Sequence, residues 1–210
     1  QRWQADHRLA CRLMLSGFLN VDKPLGLTSH DVVARVRRIY RKATGSKRVG
    51  HAGTLDPLAT GVLIVCVGQA TRLSEYVMHQ RKRYVAQVRL GLSTTTYDAE
   101  GDITAETDAT GITQADLHAV LTDFRGDIQQ VPPMYSAIKQ GGRKLYDLAR
   151  AGQEVERPAR AVTIHELSVS VFEPPHLTLD VTCGSGTYIR SLAHDIGQRL
   201  GVGAHLSGLQ

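Results

Sequence analysis

Six consecutive apolar residues, Val62-Leu63-Ile64-Val65-Cys66-Val67, follow directly on a loop of Gly, Thr and Pro that runs from about Gly50 to Gly61. Such a run reads as a buried strand, and it needs covering elements on both sides. The rest of the chain supplies them in mixed order. Thr28-Ser29-His30-Asp31 has capping-box spacing, and Val32, Val33, Val36, Ile39 and Tyr40 then recur at helical intervals, which predicts a helix over Ser29 to Lys42. Tyr84 to Leu90 alternates apolar and polar residues as a half-buried strand does. Thr113 is placed to cap a helix whose apolar stripe is Leu117, Val120, Leu121 and Phe124. Strands are expected over Thr163 to Phe172 and Leu177 to Cys183, joined around Glu173-Pro174-Pro175-His176. A last helix after Gly184-Ser185-Gly186 buries Ile189, Leu192, Ile196 and Leu200. No steady strand-helix rhythm runs through this order, so the expected class is α+β, with a largely antiparallel mixed sheet flanked by helices rather than a doubly wound parallel one.

With 210 residues, 42% of them hydrophobic, the chain can bury one sizeable core. That core is expected over residues 17–210, while residues 1–16 read as a leader outside it. No apolar stretch of about 18 residues occurs, so no membrane role is expected. Cys11, Cys66 and Cys183 lack zinc or dithiol spacing and read as reduced core residues of a cytoplasmic protein. From Phe124 to Gly152 the character changes: Val131-Pro132-Pro133-Met134-Tyr135-Ser136 precedes Lys139, Arg143, Lys144 and Arg150, with glycines at 141 and 142. This mixture suggests a projecting arm. The formal charge of +5 suits a polyanionic partner. Arg35, Arg37, Arg38, Arg41, Lys42, Lys47 and Arg48 fit a phosphate track, and equally a solvated helix face.

Asp56 stands out for chemistry. It lies in a glycine-bounded loop that contains His51, and Pro57 disfavours helical backbone for the residue before it, so the carboxylate is carried on extended, constrained chain. An Asp-Pro pair alone is an ordinary turn former. The wider segment is more specific: Asn20-Val21-Asp22-Lys23-Pro24-Leu25-Gly26, then His51-Ala52-Gly53-Thr54-Leu55-Asp56-Pro57-Leu58-Ala59-Thr60-Gly61, Arg81-Lys82-Arg83-Tyr84, and Gly186-Thr187-Tyr188-Ile189-Arg190-Ser191-Leu192. In this order and spacing, from about Gly17 to Gln210, the chain closely resembles the TruB-type tRNA pseudouridine synthases, which isomerise the uridine at position 55 of the T loop. The dyskerin-type, guide-RNA-dependent relatives share the aspartate motif.

The resemblance implies a pseudouridine-synthase catalytic domain whose inserted arm, about residues 124–152, grips RNA. It implies that Asp56 is the catalytic carboxylate, attacking the base or the ribose C1′, that Tyr84 stacks on the flipped uracil, and that Arg190 pairs with the aspartate. His51 matches a histidine of the flipped nucleotide's pocket or the opened T loop; Lys23, Tyr188 and Leu209 match further substrate-binding positions. The chemistry asks for such groups. Breaking a glycosidic bond, turning the base and rejoining it through carbon needs a nucleophile and neither redox group nor metal, so no cofactor is expected. A guanidinium favours the ionised carboxylate. Extruding a base costs a few kcal/mol, which aromatic stacking worth about 1–3 kcal/mol can offset. Arg81, Lys82 and Arg83 beside Tyr84 fit phosphate contacts, or a charged strand edge.

Bacterial enzymes of this type usually continue into a C-terminal RNA-binding module of the PUA kind, absent from this sequence, which stops at Gln210. The expected partner is the T stem-loop of tRNA, with a monomeric protein and no obligatory protein partner. Two other readings compete: a guide-dependent synthase within a multiprotein particle, and an RNA-binding module without chemistry.

Overall fold

The computed structural model describes residues 15–136, 138–153 and 155–210. They form two compact units, one reaching to His79 and one from Gln80 to Gln210.

In the first unit, β1 (Gly17–Lys23), helix α1 (Ser29–Thr44), β2 (Val49–His51) and β3 (Gly61–Val67) are followed by a 3-10 turn (Gly68–Leu73) and the short α2 (Ser74–Met78). The strands make an antiparallel sheet in the order β1-β3-β2, with Val21 opposite Leu63 and Lys23 opposite Gly61. The expected capping box closes α1: the Thr28 hydroxyl accepts from the Asp31 amide, and the Asp31 carboxylate takes the Thr28 amide and hydroxyl. Those bonds hold the Asp31 carboxyl below its ordinary pKa. Gly45 ends the helix at φ 73°, a left-handed position that glycine occupies without strain. Val32, Val33 and Tyr40 pack on Val49, Leu63, Val65 and Val67, with Val36 and Leu55 against them.

Two expectations need correcting here. Ile39 is 68% exposed and Val62 66% exposed. At 100° per residue Ile39 lies roughly 90° from the centre of the buried stripe set by Ser29, Val32, Val33, Tyr40 and Thr44, so it leaves the covered face. The strand is likewise covered on one side at its start, and Val62 points away from that side. The expected leader falls mainly outside the described residues. Of its last two positions, the Leu15 carbonyl accepts from the Tyr40 hydroxyl at 2.6 Å and the Ser16 hydroxyl from the Gln69 amide at 3.0 Å, so both are tied to the unit.

The second unit holds β4 (Lys82–Leu90), β5 (Leu92–Thr94), β6 (Ile103–Glu106), α3 (Gln114–Thr122), β7 (Gly126–Gln130), β8 (Lys139–Gln140), β9 (Arg143–Lys144), α4 (Leu145–Arg150), β10 (Arg160–Glu173), β11 (His176–Cys183), α5 (Ile189–Arg199) and β12 (Ala204–Leu209). A five-stranded sheet runs β12-β4-β11-β10-β7, every neighbouring pair antiparallel. Small hairpins β5-β6 and β8-β9 stand apart from it. Helix α5 buries Ile189, Leu192, Ala193 and Ile196. Gly197 admits the returning chain: a Cβ there would come within 2.2 Å of the Ala204 backbone. Leu200, expected in the buried stripe, is only partly covered. The arm begins later than its composition implies. Phe124 is buried and residues 126–130 form the sheet's edge strand, with Ile128 opposite Val162, so the change of character starts after Gln130. Cys66 and Cys183 are buried free thiols, and burial raises the pKa of each; Cys11 lies outside the described residues.

Candidate active site

In the first unit the chain around Asp56 is restrained through several backbone groups. The buried Ser29 hydroxyl, in the first turn of α1, donates to the Leu55 carbonyl at 3.0 Å and accepts from the Leu55 amide at 2.8 Å. On the other flank the Pro57 carbonyl accepts from the Gly26 amide at 2.9 Å and from the Lys23 ammonium at 3.3 Å. The Asp56 carbonyl takes the Ala59 amide at 3.0 Å, which closes a turn behind the Asp-Pro step. Gly53 and Gly61 bound the loop at φ 113° and 96°, values that a side chain would disfavour. Asp56 is therefore fixed on both sides through its neighbours, and the residue itself is half-buried.

Lys23 is fully buried, and its ammonium also donates to the carbonyls of Pro24 at 3.0 Å and Leu27 at 2.6 Å. A buried charge is tolerated when carbonyl dipoles replace its water, and here the three acceptors come from two loops. Expected at the substrate, Lys23 has in these bonds the part of a clamp joining the Pro24–Leu27 turn to the Asp56 loop. His51, at the end of β2, donates from Nδ1 to the Gly53 carbonyl at 2.8 Å, which in the neutral ring leaves Nε2 as the acceptor.

The second unit holds the remaining candidates. Tyr84 lies on β4 opposite Val181 of β11, half-buried. Leu209 ends β12 opposite Ala86, and Gln210 continues the pairing by exchanging two backbone hydrogen bonds with Val85, at 2.7 and 2.9 Å. Strand β4 is thus held on both edges around Tyr84. Its flanking cations differ. Burial lowers the Lys82 pKa, opposed by the neighbouring Cys183. Arg83 forks onto Asp180, Nε to Oδ1 at 2.9 Å and Nη2 to Oδ2, which holds that carboxyl below its ordinary pKa. This cross-strand ion pair is a partner that sequence spacing could not reveal.

Arg190, in the first turn of α5, is buried. Its Nη1 donates to the Thr96 carbonyl at 3.1 Å and stands 3.4 Å from Asp98 Oδ2; Nη2 donates to the Tyr135 carbonyl at 2.9 Å. Asp98, also buried, accepts on Oδ1 from the Glu100 amide at 3.0 Å and from the Thr96 hydroxyl. The guanidinium is planted by acceptors from the 94–98 turn and from the start of the arm. Tyr188, the residue before α5, donates its amide to Gln130 Oε1 at 2.8 Å and accepts on its carbonyl from Gln130 Nε2 at 3.0 Å. Beside this lies a cleft of about 460 Å³, lined by Tyr97, Tyr135, Arg157 and His194 among others. Tyr97, at φ 63°, stacks on His194 with ring centroids 3.8 Å apart. Burial, with Arg157 nearby, lowers the His194 pKa. The sequence reading missed Ser29, Asp98 and Gln130 as supports; only the capping-box position of Ser29 offered a signal.

The structure thus groups Asp56, His51 and Lys23 in one unit, and Tyr84, Tyr188, Arg190 and Leu209 in the other. Among the described residues no group of three or more His, Cys, Asp or Glu is arranged to hold a metal ion.

Residues 41–189 match the family model described as TruB family pseudouridylate synthase, N-terminal domain. The chain is 54% identical over 198 residues to tRNA pseudouridine synthase B of Symbiobacterium thermophilum, covering 93% of this chain and 65% of that protein. It is 50% identical over 199 residues to the protein of that name from Pseudomonas aeruginosa, covering 95% and 64%. It therefore spans just under two thirds of these relatives. Among solved structures, a chain of the crystal structure of a Cbf5-Nop10-Gar1 complex matches with a TM-score of 0.69 at 33% identity, over 95% of this chain and 48% of that one. A structure of an H/ACA RNP bound to a substrate RNA containing 2′-deoxyuridine matches at 0.65 and 30% identity, over 95% and 47%.

Proposed function

The chain belongs to the TruB family of pseudouridylate synthases, and on that premise we propose that it isomerises uridine to pseudouridine in tRNA, with uridine 55 of the T loop as the target. The observation that carries the reading is the restraint of the Asp56 loop by Ser29, Lys23 and Gly26, which presents a carboxylate on a backbone unable to drift. In this reaction the N1–C1′ bond of uridine breaks, the base turns, C5 bonds to C1′, the C5 proton leaves and N1 gains one. Nothing is oxidised or reduced, so a side-chain nucleophile suffices and no cofactor is needed.

In this proposal Asp56 is the nucleophile at the base or at C1′. Tyr84 receives the flipped uracil and offsets its unstacking. Arg190 favours the ionised carboxylate, the state a nucleophile requires. His51, Tyr188 and Leu209 bound the nucleotide's pocket, and Lys23 serves by holding the loop. The protein acts as a cytoplasmic monomer without an obligatory protein partner. Among the described residues no helix is long and apolar enough to cross a membrane.

A guide-dependent role is the second reading, and the likeness to the Cbf5-containing complex favours it. The identity of 54% to a protein named for tRNA, against 33% to the chain of that complex, favours tRNA as the substrate. A T stem-loop transcript carrying tritium at uracil C5 tests the choice, because C5 loses its hydrogen only if the base is rejoined through that carbon. Release of label by the protein alone is expected. Release only after guide RNA and partner proteins are added would establish the second reading, and RNA binding without release would establish a non-catalytic module.

A further inference from the structure

The positive charge of this chain is unevenly held. Over residues 15–79 there are nine Lys and Arg against four Asp and Glu, while over 80–210 there are thirteen against fifteen. Between Asp31 and Asp56 no acidic residue occurs, and seven cations fall in that interval. Five of them, Arg37, Arg38, Arg41, Lys42 and Lys47, line with Ala34 a groove of about 510 Å³ along α1. Ala34, Arg37, Arg38, Arg41 and Lys42 stand at i, i+3, i+4, i+7 and i+8, one face of the helix.

That arrangement is unfavourable in isolation. Arg37 with Arg41, and Arg38 with Lys42, are like-charged pairs one turn apart, and such pairs destabilise a helix. The macrodipole accounts only for Arg41 and Lys42, the cations of the last turn. Arg37 is also fixed, donating Nη2 to the Val49 carbonyl at 2.9 Å, while Arg38, Arg41 and Lys42 are exposed. A row of cations with no acid among them is relieved by a polyanion. The face is remote from the aspartate: Arg41 lies twelve residues beyond Ser29, the anchor of the Asp56 loop, or about 18 Å along the helix axis.

We propose that this face of α1 is a second RNA-docking surface, taking backbone phosphates of the tRNA body beyond the T stem-loop. The claim rests on the reading of the protein as a tRNA enzyme. A uridine held near Asp56 occupies the far end of the helix from Arg41 and Lys42, so these cations meet a different stretch of the same polyanion. Their contribution is sequence-independent and salt-dependent, because each phosphate contact releases condensed counterions.

The test is the triple variant Arg38→Gln, Arg41→Gln, Lys42→Gln, which spares the anchored Arg37, measured on full-length tRNA and on a minimal T stem-loop. With full-length tRNA, KM is expected to rise roughly tenfold, and the slope of log affinity against log salt to fall by about two to three. With the stem-loop, kcat and KM are expected to stay within about twofold, which also reports an intact fold. An equal KM rise on both RNAs would mean that the face grips the T arm itself and would overturn the proposal. No change on either would mean a solvated face or a partner other than RNA, and would overturn it equally. Turnover of the stem-loop by the unaltered protein separately tests the tRNA reading; if it is absent, tRNA affinity of variant and parent still decides the docking claim.

Discussion

The Ser29 hydroxyl engages both backbone groups of Leu55, accepting from its amide at 2.8 Å and donating to its carbonyl at 3.0 Å. One side chain at the start of α1 therefore satisfies the peptide groups immediately before Asp56. Ser29→Ala leaves both groups without that partner, at a cost of about 1–3 kcal/mol. Denaturant unfolding should register that loss, and kcat should fall several-fold as the carboxylate loses its fixed direction. Unchanged stability and unchanged kcat together would refute the role of the clamp.

Lys23→Met keeps the length of the side chain and removes the donor to three carbonyls. Those acceptors are then buried without their charged partner, so a loss of about 2–4 kcal/mol is expected. If Lys23 acted only through substrate, KM would rise with no change in melting temperature, and calorimetry on the variant separates the two roles.

Asp56→Asn is expected to abolish tritium release while leaving T stem-loop affinity within about threefold, since the amide fills the same space without nucleophilic capacity. Measurable turnover in a preparation free of parent enzyme would remove Asp56 from its assigned role.

The Asp98 carboxylate holds Arg190 from one oxygen and the 96–100 turn from the other. Asp98→Ala should cost about 3–5 kcal/mol, because it removes one partner of a buried ion pair. Asp98→Asn keeps an acceptor and should be milder in stability. Comparing kcat at equal KM for the two variants reads how far the orientation of Arg190 limits the reaction.

Burial raises the Asp195 pKa to about 6 from an ordinary value of 3.8. Between those values the folded chain holds a proton that the unfolded chain has released, so stability falls as pH rises through the interval and levels off above it. Asp195→Asn removes this dependence. Allowing for partial solvent access, the variant should gain about 1–2 kcal/mol at pH 7.5 and almost nothing at pH 4. Equal gains at both values would exclude the titration as the cause.

Local signals in the chain were strong where chemistry is local. The capping box at Thr28, the cap at Thr113 and the positions of β4, β10, β11 and α5 follow from side-chain type and period. Ile39 and Val62 were misread because periodicity marks an apolar face without saying how far a neighbour covers it. Residues 126–130 looked like arm because edge-strand residues are polar and half-exposed; only pairing with β10 gives them away. Asp56, Tyr84 and Arg190 stood out through motif, but their supports did not. Ser29, Asp98 and Gln130 act across separations of 26, 92 and 58 residues, between residue types that pair with many others. The ion pair of Arg83 with Asp180 was equally hidden, since it joins residues 97 apart in the chain.

The bonds that fix the Asp56 loop end on peptide groups, at Leu55, Asp56 and Pro57. At these points the loop is held by a mounting that grips its backbone. Thr54, exposed on that mounting, can be exchanged without disturbing any of them. On the proposed function, this makes position 54 a place to vary the surface beside the carboxylate while the backbone bonds that aim it are kept.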